Sequence, residues 1–190
     1  MGALHLTLAS ASPRRRDLIA RLGVTPDAVT PADIDETPLR DERPRDYALR
    51  MGREKALAIT ASGFVLAGDT VVAAGRRILP KTEDEGEALR CLKLLSGRRH
   101  TVLSSVVLRA PDGTLRERLN ENIVRFKSLS SEEIAAYLAS GEWRGKAGGY
   151  AIQGAAEGLI QWIRGSHSGV MGLPLYETRT LLKSAGFAIG

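Results

Sequence analysis

The chain has 190 residues, enough for one domain with a sizeable core, and its 43% hydrophobic and 26% charged residues exclude wholesale disorder. The single cysteine excludes an internal disulfide framework, and no apolar run approaches the roughly 20 residues that span a bilayer. A net charge of +5 leaves two readings: a basic surface for nucleic acid, or a few cations gathered on a polyanionic small molecule.

His5 to Ala9 reads as a buried strand, Ser10 to Pro13 as a turn of small residues, and Arg14 to Leu22 as a helix. Leu18, Ile19 and Leu22 have helical spacing there, with Gly23 as the C-cap. Strand, tight loop, helix is the local geometry that offers backbone N–H groups to phosphate. The N-terminal arginines follow the apolar run, the reverse of a secretory signal, so a cytoplasmic protein is expected. Val29 to Arg43, rich in Pro and acid, reads as a loop, and Pro44 opens a helix to about Ala61.

Phe64 to Ala67 and Val71 to Ala74 read as one or two strands, with Gly68-Asp69-Thr70 at a strand end. A turn at Gly75-Arg76-Arg77 leads to a short strand at Ile78-Leu79. Thr82 and Glu85 have capping-box spacing and open a helix to about Leu95, on which Cys91 is a buried small hydrophobe. Arg99 to Arg109 and Leu115 to Phe126 form a hairpin around Pro111-Asp112-Gly113. Ser130 and Glu133 box a helix to about Ala139, and a Gly-rich loop follows to Gly149. Tyr150 to Gln153 and Leu159 to Arg164 read as strands, and Pro174 opens a last helix ending near Gly186. Helices mixed with hairpin strands predict an α/β or α+β fold with a mixed sheet.

Several groups could carry chemistry. Arg14, Arg15 and Arg16 lie about 100° apart around a helix start, so one or two can face the loop while the third is solvated. By themselves they read as a basic surface patch; the preceding strand and small-residue loop favour an anion site. Asp33, Asp35 and Glu36 read either as a solvated acidic turn or as carboxylates for a divalent cation. Asp69 is either a strand-end carboxylate placed for chemistry, beside a glycine that lets a ligand approach, or an Asp capping a turn. Lys55 and Lys81 each read alone as surface lysines. His5, His100 and His167 show no metal-ligand spacing. Trp143 and Trp162 are too far apart for a base-stacking platform.

Seven segments in order resemble the Maf family of nucleotide pyrophosphatases, also described as inhibitors of septum formation. They are Leu8-Ala9-Ser10-Ala11-Ser12-Pro13-Arg14-Arg15-Arg16, Ala32-Asp33-Ile34-Asp35-Glu36-Thr37, Arg53-Glu54-Lys55-Ala56, Gly68-Asp69-Thr70-Val71-Val72, Leu95-Ser96-Gly97-Arg98, Lys146 through Gly154 (KAGGYAIQG) and Gly172-Leu173-Pro174-Leu175. Each is weak alone; in sequence they cover nearly the whole chain. The resemblance implies an α/β fold with a mixed, strongly twisted central sheet flanked by helices, and a cleft between two lobes. It implies cleavage between the α- and β-phosphates of a nucleoside triphosphate, with Mg²⁺ or Mn²⁺ as cofactor. Asp69 falls at the catalytic-base position, and Arg14, Thr70 and Gln153 at the specificity positions. That trio looks like the dTTP/UTP subgroup, where the 7-methyl-GTP subgroup has an aromatic residue, Gln and Glu.

On this reading Arg14, Arg15, Lys55 and Lys81 meet the phosphates together with Ser10, and Glu36 and Asp69 hold the metal. The partner is then a small nucleotide, with no nucleic acid and no membrane, and the resemblance alone points to a homodimer. Two departures stand out: Pro80 where the family often has Gly, which bears on how Lys81 is aimed, and Gly68 where it often has Ala. Two alternatives remain: a pyrophosphatase for modified nucleotides, and a non-enzymatic basic module that binds nucleic acid or regulates division.

Overall fold

The computed structural model describes residues 4–189; the first three residues of the segment read above for a targeting signal lie outside them. In chain order the elements are β1 (Leu6–Leu8), α1 (Pro13–Ala20), β2 (Ala28–Val29), α2 (Pro44–Ala58), β3 (Phe64–Ala74), β4 (Arg77–Leu79), β5 (Lys81–Thr82), α3 (Glu85–Leu95), β6 (Arg99–Arg109), β7 (Leu115–Phe126), α4 (Ser131–Ser140), β8 (Lys146–Ala147), a 3₁₀ turn (Ala155–Leu159), β9 (Ile160–Arg164), α5 (His167–Met171) and α6 (Leu175–Ser184). Among the described residues, seven strands form one mixed sheet in the order β2-β1-β3-β6-β7-β9, with β4 joined to β3. β1 is parallel to both β2 and β3; the remaining pairs are antiparallel. A separate two-stranded sheet pairs β5 with β8. No helix of the described residues is long and apolar enough to cross a membrane.

Side-chain alternation along β3 and β6 divides the core between the two faces of the sheet. Val65, Ala67, Val71, Leu103 and Val107 face α2, whose Ala48, Met51 and Ala56 pack on them at helical spacing. Leu66, Val72, Val102, Val106 and Leu108 face the other way, into a larger core with Leu18, Leu92, Leu95 and Leu182 from the remaining helices. The sheet is thus covered on both faces, the layered arrangement that the mixed sequence pattern predicts.

Three departures from the sequence reading lie beside the site. Phe64–Ala74 is one unbroken strand, so Gly68-Asp69-Thr70 lies at its middle and not at a strand end. The cap of α3 is Asp84, whose side chain accepts from the Glu87 amide; Thr82 is drawn into β5, and its hydroxyl donates to the Trp143 carbonyl at 2.8 Å. Tyr150 to Gln153 is not a strand, because its backbone groups are taken locally: the Ala151 amide donates to the Tyr137 hydroxyl at 3.0 Å, and the Ala151 carbonyl accepts from the Gly154 amide at 3.1 Å. The capping box at Ser130 and Glu133 forms as expected.

Candidate active site

β1 pairs with β3 only as far as Leu66, and β4 joins the same edge only from Val72. Between them the edge of β3 is left without a partner strand, and Asp69 sits at the centre of that gap. A cleft of about 390 Å³ opens there. The β1–α1 loop forms one wall, and the β5–β8 unit with the Gly-rich loop lines another. A ligand site beyond the carboxyl end of a parallel strand, where the sheet loses its neighbour, is the place α/β sheets offer for binding.

The structure brings every sequence-derived site residue to this one cleft: Ser10, Arg14 and Arg15 from the β1–α1 region, Glu36 from the acidic loop, Lys55 from α2, Asp69 and Thr70 from β3, Lys81 from β5, and Gln153. Arg16 is exposed, as the helical azimuths required. Of the three acidic-loop carboxylates only Glu36 lines the cleft. Asp35 instead accepts from the Thr37 amide at 2.8 Å, and the Tyr47 hydroxyl holds the Glu36 carbonyl at 2.6 Å.

Lys55 is no surface lysine. It stands on the inner stripe of α2 and is 6% exposed, and Asp69 is 3% exposed. Its ammonium donates to Asp69 Oδ1 at 2.6 Å and lies 2.8 Å from Glu36 Oε1. Lys81 closes the group by donating to Glu36 Oε2. Pro80 does not disturb this, and its carbonyl accepts from the Gly148 amide to help fasten the β8 hairpin. Burial by itself would raise the Glu36 carboxyl, but the bonds from Lys55 and Lys81 outweigh it and hold the group below its ordinary value.

Two glycines make this geometry possible. A Cβ on Gly52 would lie 2.6 Å from Ser105 Oγ, so α2 can approach the sheet only because that atom is missing. The same serine accepts from the Asp69 amide at 3.1 Å. Gly68 does not clear space for a ligand, as the sequence suggested; a Cβ there would collide with the Ser105 carbonyl oxygen of β6.

On the other face of β3, Arg15 donates from Nε to the Gly172 carbonyl (2.8 Å), from Nη1 to Ser10 Oγ (3.1 Å) and from Nη2 to Thr70 Oγ1 (3.3 Å). Ser104 links Thr70 Oγ1, at 3.1 Å, to the Gly169 carbonyl, at 2.7 Å. All of these acceptors are neutral. Burial pushes the Arg15 guanidinium below its usual value, against the pull of Asp69 and Glu36. Burial, and then the charge of Arg15, lower Arg14 as well. Buried cations without a carboxylate in contact are costly unless an anion arrives.

Sequence reasoning missed Arg144, Lys146 and the Ser104-Ser105 pair that braces β3. Lys146 lies inside the quoted glycine-rich segment, and two serines inside an apolar strand were the legible signal for Ser104 and Ser105; Arg144 carried none.

The family model described as Maf-like protein matches residues 5–185. The chain belongs to the Maf family. Among relatives bearing the name dTTP/UTP pyrophosphatase, the Novosphingobium aromaticivorans protein is 64% identical over 188 residues, covering 97% of this chain and 94% of that protein. The Caulobacter vibrioides protein of the same name is 62% identical over 185 residues, covering 96% of each chain. Among solved structures, a HAM1 protein from Coxiella burnetii aligns at 17% identity and a TM-score of 0.48, over 96% of this chain and 100% of that one. In this Maf protein, a lysine-bridged pair of carboxylates shares one cleft at the open edge of the central strand with Arg14, Arg15 and Arg144.

Proposed function

We propose that this Maf-family chain hydrolyses dTTP and UTP to the nucleoside monophosphate and pyrophosphate. The observation that carries the reading is the convergence of Arg14, Arg15, Lys55 and Lys81 on the cleft that also holds Asp69 and Glu36; the names of the relatives agree with it. A triphosphate carries about four negative charges, and phosphoryl chemistry needs positioning and charge neutralisation more than covalent help. The cations and Ser10 hold the phosphate chain, with backbone amides at the start of α1.

Asp69 takes a proton from a water that attacks the α-phosphorus. The bond from that phosphorus to the α–β bridging oxygen breaks, and pyrophosphate leaves as an anion among the cations. Lys55 keeps the Asp69 carboxylate in one orientation. Among the described residues the two carboxylates are the only acidic side chains lining the cleft, and no cluster of three or more His, Cys, Asp or Glu could hold a metal by itself. That donor set fits Mg²⁺ or Mn²⁺ arriving with the substrate, since Mg²⁺ is held by one or two carboxylates plus phosphate oxygens and water. Glu36 and Asp69 would hold the cation, which supplies neutralisation of the oligophosphate charge. A triphosphate panel, assayed for pyrophosphate release with Mg²⁺ and again with excess chelator, tests both claims. Release confined to pyrimidine substrates and abolished by chelation is expected; equal release from GTP, or activity indifferent to chelator, contradicts them.

Gln153 lies exposed at the cleft wall, with an amide that can meet both N3–H and O4 of uracil or thymine. The thymine methyl is worth only about 1–3 kcal/mol even in an apolar pocket, so similar use of dTTP and UTP is expected. Gln153→Glu should lower kcat/KM for both by about tenfold or more, because it removes the amide donor and sets a charge against O4. An unchanged preference for these substrates over GTP would remove Gln153 from base recognition.

A further inference from the structure

The charges in the cleft are unevenly spread. Lys55 and Lys81 are matched by Asp69 and Glu36, so two cations meet two carboxylates on the α2 side. Arg14 and Lys146 line the same cleft from α1 and β8, and neither forms an ion pair among the described residues. Arg14 Nε is buried there without a hydrogen-bond partner. Among the described residues Lys146 Nζ donates only to the Arg144 carbonyl, at 2.8 Å. Arg14 and Lys146 share the lining of this cleft; burial lowers the Lys146 ammonium below its usual value and the charge of Arg14 lowers it further, against a partial offset from Glu142 and Glu83.

The backbone that carries Lys146 is firmly built. Lys146 pairs with Thr82, and Lys81 with Ala147, across the β5–β8 ladder. The Thr82 hydroxyl fastens the Trp143 carbonyl, and Trp143 itself is 1% exposed. A fixed platform that holds a half-buried cation in the same cleft as an arginine stores electrostatic cost, and a bound anion removes that cost.

We propose that Lys146, with Arg14, seats the β- and γ-phosphates of the triphosphate and therefore the departing pyrophosphate. The proposal rests on the pyrophosphatase reading for the identity of the ligand. It follows from charge: the α-phosphorus must lie beside Asp69, where lysines and carboxylates already cancel, so the remaining phosphates extend toward the uncompensated cations. Lys146 thereby separates two functions of the cleft, with the reacting centre on the α2 side and the leaving group on the β8 side.

The test is direct binding, which needs no turnover. Pyrophosphate and dTMP are titrated calorimetrically, in Mg²⁺ buffer, into the full chain and into Lys146→Gln, Lys146→Met and Lys146→Arg. Loss of one charged hydrogen bond should weaken pyrophosphate roughly tenfold in the Gln variant, with Arg restoring most of it and dTMP affinity held within about twofold. Met keeps the aliphatic stem and serves if Gln disturbs β8. Unchanged pyrophosphate affinity, an equal loss for dTMP, or no pyrophosphate binding by the unaltered chain overturns the proposal. If pyrophosphate binds through Lys146 but no triphosphate in the panel is hydrolysed, the anion seat stands and the pyrophosphatase reading falls.

Discussion

Asp69→Asn should reduce turnover by about 10²–10⁴-fold, the usual contribution of a positioned general base, while nucleotide binding stays equal or becomes tighter. Asn keeps the shape of the side chain, and its amide oxygen can still accept from Lys55. The Ser105 contact is unaffected because it runs through the Asp69 backbone amide. What disappears is the negative charge and the ability to take a proton. Removing a carboxylate beside an incoming polyanion also removes a repulsion, so affinity for a non-hydrolysable triphosphate measured without Mg²⁺, where no metal contact is lost, should not fall. Single-turnover pyrophosphate release, measured alongside binding of that analogue, separates the two effects. A variant that releases pyrophosphate at near the native rate would exclude Asp69 as the base.

Lys55→Met should destabilise the fold by about 3–5 kcal/mol, because it leaves Asp69 buried without its cation. For a chain of this size that corresponds to a fall in Tm of roughly 6–20 °C. The expected loss is larger than for an exposed pair such as Arg40–Asp41, whose side chains are 98% and 85% exposed. Met fills most of the volume of Lys, so the loss measures charge and not a cavity. Adding Asp69→Asn to Lys55→Met should recover most of the stability, since a pair of buried neutral groups no longer carries an unpaired charge. Calorimetry of the single and double variants checks this; additive losses would show that Lys55 and Asp69 are not coupled as the 2.6 Å contact implies.

The corrections along the chain share one cause. Thr82 has the spacing of a helix cap, yet it pairs with β8, sixty-odd residues further on, and Asp84 takes the cap. Lys55 reads as a surface lysine until β3 is laid beside α2. Its place on the stripe of Ala48, Met51, Gly52, Ala56 and Ile59 was the available sign that it points inward. Gly68 reads as a gap for a ligand, but the backbone of β6 occupies that space. In each case the decisive neighbour is remote in the chain, and local propensity cannot register it.

Short-range physics was readable from residues alone. The period-2 and helical patterns gave the long strands β6 and β7 and the helices α2, α3, α4 and α6 to within a few residues, because those patterns follow from backbone geometry. The chain of motifs likewise named the residue types a phosphate site needs. Only the tertiary structure set Asp69 at the open middle of β3, matched its charge with Lys55, and placed Arg14 and Lys146 in the same cleft with no ion pair of their own among the described residues. Charges act through space, and which charges meet depends on how distant strands and helices are folded against one another.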